Sequence, residues 1–238
     1  MNNSWIRCLK AIIWKESIEA IRTSKLAIPS TILFVVGIQL ISVYQIIGKQ
    51  HLSSANKELI LAGLTIFIPL MSITFFGNGL LLKTIHEERL NKTIHVLLAS
   101  GVPPTALWVG KFLVASTISY IISAITISGF VSVINLFFGY SFNITSSLWL
   151  ILLVIMPLLS IGMLAVVSLL YWYLKDARTL GSIIQMVAFL GVWNFSLKFG
   201  SKYPINMVGL ISLVIGILLI GLSFTLIKYI SKERIVNV

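Results

Sequence analysis

The sequence predicts an all-α polytopic membrane protein, with six transmembrane helices preceded by an N-terminal amphipathic helix at the membrane interface. Three observations carry this expectation. Of the 238 residues, 58% are hydrophobic and only 11% are charged, against roughly 25% charge in a soluble domain. Six apolar runs each come near the roughly 20 residues that a helix needs to cross a bilayer. Fourteen of the 18 Lys and Arg lie in alternate segments on one side and four on the other, the bias that marks the cytoplasmic side. Both termini are therefore expected in the cytoplasm, at the plasma membrane of a bacterial cell. The net charge of +11 then follows from topology, and a nucleic-acid partner is not expected.

The chain reads as one transmembrane domain: a surface segment over 1–25, spans within 26–227 and a tail over 228–238. Trp5 to Arg22 places Trp5, Ile6, Cys8, Leu9, Ile12, Ile13 and Ala20 on one helical face. Arg7, Lys10, Lys15 and Arg22 fall near the other, a split that suits a helix lying along the lipid headgroups. Glu16 interrupts the apolar side. A carboxylate there either reaches water at the helix edge or has a fixed partner that docks the helix onto the second loop. The spans are expected at Leu26–Ile47, Leu59–Leu82, Phe112–Phe138, Leu148–Leu174, Thr179–Leu197 and Met207–Ile227. Continuous apolar runs lack the alternation of barrel strands, so the spans are helical. Pro69 and Pro157 fall mid-span, where neighbouring helices can satisfy the carbonyls that proline leaves free. The external loops are too short for a receptor or enzyme domain.

Between the second and third runs lies Glu87-Glu88-Arg89-Leu90-Asn91-Lys92-Thr93-Ile94-His95-Val96-Leu97-Leu98-Ala99-Ser100-Gly101-Val102-Pro103-Pro104, leading to Gly110-Lys111. Leu90 to Ala99 can bury one helical face, Pro103-Pro104 ends that helix, and a short second helix over Thr105 to Gly110 can follow with Thr105 as its cap. The acidic pair, the Thr, two Leu, the Pro turn and Gly-Lys resemble the permease subunits of type-two ABC exporters, as does Trp14-Lys15-Glu16 with Ile21-Arg22 and Lys25. The resemblance implies a cytoplasmic coupling helix between spans two and three that fits a groove in the ATPase. It makes Glu87, Glu88, Arg89, Thr93 and Glu16 the coupling candidates. The family commonly has Gly before the Thr and Glu two residues after it; Lys92 and His95 stand there in this sequence. Without a coupling role, Glu87 and Glu88 would be solvated charges pairing with Arg89 or Lys92.

The resemblance further implies two copies of this chain with two ATPase subunits, which bind the ATP and Mg; no cofactor is expected on this chain. Spans two and five would line a central path: Phe67, Met71, Thr74 and Asn78 on one, Gln185, Phe189, Trp193 and Asn194 on the other. Such groups suit an amphipathic peptide or drug-like cargo, but amides also join spans to one another, as the Ser and Thr of span three do. A substrate-binding subunit of a vitamin importer, or export of a lipid-linked glycan or haem, are the alternatives. Catalysis by the chain itself is not expected. Gly110-Lys111 lacks the glycine spacing of a phosphate loop, and His51, His86 and His95 offer no helical pair for a metal.

Overall fold

The computed structural model describes residues 3–47, 54–138, 145–173 and 205–227, with isolated positions from 179 to 186. Among these residues the chain is entirely helical. Helix α1 (Asn3–Thr23) is followed by α2 (Ala27–Ile47) and by α3 (Ser54–Leu81). The rod of α3 continues through a π-helical stretch, Leu82–Glu87, and a last turn, Glu88–Leu90. Then come α4 (Thr93–Ala99), α5 (Pro104–Phe138), α6, which starts at Ser146–Leu150 and ends as Met156–Tyr173, and α7 (Ile205–Leu226). Five helices are long and apolar enough to span a membrane. The expected fifth run, Thr179–Leu197, lies outside the described residues apart from isolated positions.

Helix α3 is the centre of the bundle, packing against α2, α5 and α6, while α7 packs on α6 and α1 on α5. The α6–α7 seam is built from glycine. A Cβ placed on Gly162 would lie 2.9 Å from the Gly216 carbonyl, and one on Gly216 would lie 2.9 Å from the Leu159 amide nitrogen. Lipid solvates apolar side chains as well as another helix does, so close van der Waals contact between backbones is what joins such spans.

Pro157 is accommodated as the sequence suggested. In an α-helix its missing N–H would orphan the Leu153 carbonyl. The preceding turn, Ile151–Ile155, is widened into a π-helix, and the Tyr120 hydroxyl of α5 donates to the Leu153 carbonyl at 3.1 Å.

Three boundaries differ from the sequence reading. The second span does not stop before Glu87 but carries Glu87 to Leu90 as its own last turns, because nothing before Asn91 breaks the helix. The break falls at Asn91 and Lys92, where Lys92 has φ 60°. An L-residue pays for that left-handed conformation and Gly does not, which gives a physical reason for the Gly that the related permeases carry there. The expected short helix over Thr105 to Gly110 is the first part of α5. Pro104 suits a first helical position, since its absent N–H would have no partner there. Thr105 is consequently no cap, and its hydroxyl instead accepts a hydrogen bond from the Trp5 indole at 3.4 Å.

Candidate functional site

Helix α4 is stopped by its sequence. Gly101 has φ 89°, its amide donates to the Leu98 carbonyl at 3.2 Å, and the Val102 amide reaches the Leu97 carbonyl at 3.3 Å. This paired arrangement closes a helix on a left-handed glycine. It turns the chain sharply into Pro103 and α5, so α4 is a short rigid piece between two long spans.

One side of that piece is firmly backed. Ile94 and Leu98 are buried in the core, in the same cluster as Leu81, Ile85 and Trp108. Arg89 is buried as well, continuing the inward stripe of Leu81 and Ile85 at four-residue spacing. Its guanidinium donates to the carbonyls of Tyr171 at 2.8 Å and Trp172 at 3.1 Å. These carbonyls belong to the last turn of α6, where a helix leaves acceptors unpaired and favours a positive charge. Arg89 therefore does not pair with Glu87 or Glu88, as the solvated-charge reading would have it. The opposite side is open: Leu90 is 63% and Val96 68% exposed, and Glu87, Lys92 and Thr93 are exposed beside them.

Behind this segment lies a buried ion cluster. Lys111, in α5, has a fully buried side chain; its ammonium is 2.6 Å from Glu16 of α1 and 2.8 Å from Glu88 at the end of α3. Lys15, half exposed, reaches Glu88 at 3.2 Å, Glu16 at 3.5 Å and Glu19 at 3.8 Å. Burial raises the Glu16 carboxyl above its ordinary value; the Lys111 charge and hydrogen bond oppose this, and Glu88 adds to it. Burial alone would lower the Lys15 ammonium, but Glu88, Glu16 and Glu19 together raise it.

Glu16 thus has a fixed partner and does not reach water, and the structure brings it together with Glu88. Sequence reasoning missed the partner. Lys111 was read as a loop cation just ahead of a span starting at Phe112, but α5 begins at Pro104 and carries Lys111 inside the helix. Two misfits were the available signal, a carboxylate on an apolar face and a lysine next to an apolar run. Gly110 was the third: a Cβ there would sit 2.6 Å from the Ile12 Cγ2 atom, so only glycine lets α1 come this close.

That approach also corrects the placement of α1. The face given to lipid headgroups, with Leu9, Ile12 and Ala20, is turned toward α5 and the core. Trp14, 72% exposed, lies with Ile18 and Ile21 on the outer side. The Glu16–Lys111 contact and the apolar packing around it hold the helix in this rotation.

The path candidates of α3 are all buried within the bundle. Met71 accepts a hydrogen bond from the Gln39 amide at 3.6 Å, and Asn78 accepts one from the Tyr171 hydroxyl at 2.5 Å. Phe67 and Thr74 are also inside. Gln185, Phe189, Trp193 and Asn194 lie outside the described residues.

Residues 33–197, more than half of the chain, match the model of a family described as ABC-2 family transporter protein. No curated protein and no solved structure matches the chain.

Proposed function

The chain belongs to the ABC-2 transporter family, and from that premise we propose that it is the permease subunit of an ATP-driven exporter. Its ATPase is a separate polypeptide, in two copies, each binding ATP and Mg, beside two copies of this chain. The surface formed by Glu87, Leu90, Lys92, Thr93 and Val96 receives the ATPase on the cytoplasmic side. One observation carries this reading: large apolar side chains at Leu90 and Val96 stand exposed on a segment fixed from behind by Arg89, Ile94 and Leu98. Such a patch marks an interaction site, and rigid backing lets it pass motion to the spans. Glu88 supports the surface from within rather than forming it, since it faces Lys111.

Closure of the ATPase pair on ATP would move this segment and open the central path outward. The cargo is an amphipathic peptide or drug-like molecule. The charged residues described lie at the α1 end rather than deep inside the spans, which argues against a small ion.

The test replaces Leu90 and Val96 together with Asp. The variant should insert in the membrane as the unaltered chain does but fail to co-purify its ATPase. An ATPase retained at full stoichiometry would remove this surface from the assignment.

A further inference from the structure

We propose that Lys111 is a positioning residue: its ammonium ties α1, the end of α3 and the start of α5 into one rigid body, so that movement of the exposed segment is delivered to α5. The inference rests on the permease reading above and names the residue through which its surface acts. It also gives a role to Gly110-Lys111, a pair in the sequence that the exposed surface leaves unexplained.

The argument is geometric. Lys111 is the only member of the cluster, among the described residues, that contacts carboxylates on two other elements with its own side chain wholly buried. Withdrawing it from either partner would leave full charges in a dry site, and such a state is strongly disfavoured. The contact is therefore suited to persist through a cycle and not to break in it. Packing alongside works in the same direction: Leu9 and Ile12 of α1 lie against Gly110, and the Trp5 indole reaches Thr105. Because Pro104 begins α5 directly after the turn that ends α4, a displacement of α4 would otherwise be absorbed by that turn. With Lys111 in place, Glu88 pulls on α5 two helical turns further in. Arg89 makes a parallel link to α6 through its carbonyls, but it does not touch α1 or α5 in any contact described.

The test is hydrogen exchange on the full-length chain in lipid nanodiscs, alone and with its ATPase. In the chain alone, Lys111→Met should raise exchange in Asn3–Thr23 and Thr93–Ala99 about tenfold or more, a local opening that leaves the rest protected. Lys111→Arg should preserve most of the protection. Unchanged exchange in Lys111→Met would overturn the proposal. Should that variant fail to insert, Glu16→Gln with Glu88→Gln carries the same test with the same outcomes.

With the ATPase present, the nucleotide-trapped and nucleotide-free states should differ in exchange within α5 of the unaltered chain. That difference should vanish in Lys111→Met while ATP hydrolysis continues. A disulfide between Ile12→Cys and Gly110→Cys, with Cys8→Ser, then replaces the ionic link by a covalent one. The two Cβ positions lie 3.1 Å apart, slightly inside the roughly 3.5–4.5 Å of a disulfide. Oxidation should restore the α5 response; a disulfide that forms without restoring it would overturn the transmission role. If the unaltered chain binds no ATPase, the permease reading fails, whereas the exchange of the chain alone still decides whether Lys111 holds the three elements together.

Discussion

The α1 end of the bundle and the α6–α7 seam solve the same problem with opposite chemistry. At the first, three elements meet through full charges, with Lys111 between Glu16 and Glu88. At the second, two spans meet backbone to backbone, with Gly162 against Gly216 and no side chain between them. The difference reflects the surroundings. Deep in the apolar runs the bilayer competes on equal terms for any apolar side chain, so what remains is close contact of small residues. Near the water boundary a charge is affordable to a fold, but burying it demands a partner in one place only. The seam thus contributes adhesion, while the ionic end contributes alignment.

The largest expected effect breaks the ionic end. Lys111→Met leaves two carboxylates without their buried cation and should cost about 3–5 kcal/mol, read as a lowered thermal unfolding midpoint in detergent. Replacing all three residues, as Glu16→Leu, Glu88→Leu and Lys111→Met, should recover most of that loss, because a well-packed apolar replacement of a buried ion group is often neutral. A triple variant as unstable as the single one would mean that the charges contribute adhesion as well as alignment, and the contrast with the seam would weaken.

A smaller effect breaks the seam. Gly216→Val pushes a side chain against the Leu158 and Leu159 backbone, and overpacking of this kind costs about 1–3 kcal/mol. The same change at Gly221, where a Cβ would meet nothing within 4 Å, should be tolerated. Equal losses at both positions would show that helix propensity or lipid contact, and not the close crossing, sets the seam's sensitivity.

The two regions were unequally legible in the sequence. Hydropathy placed the described spans to within a few residues at most ends, because lipid burial leaves a long uniform signal. It misplaced the start of α5, since a helix may continue beyond the bilayer without any change that hydropathy records. Gly101 with Pro103-Pro104 announced the turn after α4, and Glu16 announced a partner by its place on an apolar face. The identity of that partner depended on tertiary approach, which Gly110 alone hinted at. Arg89 followed a buried four-residue stripe from Leu81 and Ile85, yet a charged residue after an apolar run reads as its end. Gly162 and Gly216 gave no usable signal, because Gly37 and Gly63 lie in similar apolar runs and would meet nothing.

The ionic end should also respond to pH, as the seam should not. Glu16 is raised above its ordinary value of 4.5 by burial, despite Lys111 and with Glu88 reinforcing the shift. A group raised on folding stabilises fully below its unfolded value and loses that contribution as pH rises through the folded one. Lys15, raised from 10.5, keeps its contribution throughout this range by the same sign rule. Docking of α1 should therefore be tightest in mild acid and loosen between about pH 5 and pH 8, followed by thermal unfolding with Glu16→Gln as reference. A Glu16→Gln chain with the same pH dependence would assign it to another group.

The smallest effect separates the two lysines of the cluster. Lys15 touches the same carboxylates as Lys111 but is 49% exposed and stands 3.2 Å from Glu88, so water and salt already screen its field. Lys15→Ala should cost about 0–1 kcal/mol, and the loss should shrink further as ionic strength rises. Lys111→Met should show no such fading, because a buried pair is shielded from mobile ions. Unfolding midpoints of both variants at low and high salt provide the comparison. A Lys15→Ala loss as large as that of Lys111→Met would place the principal compensation of Glu88 at the protein surface, and alignment would then rest on a contact that solvent can exchange at any time.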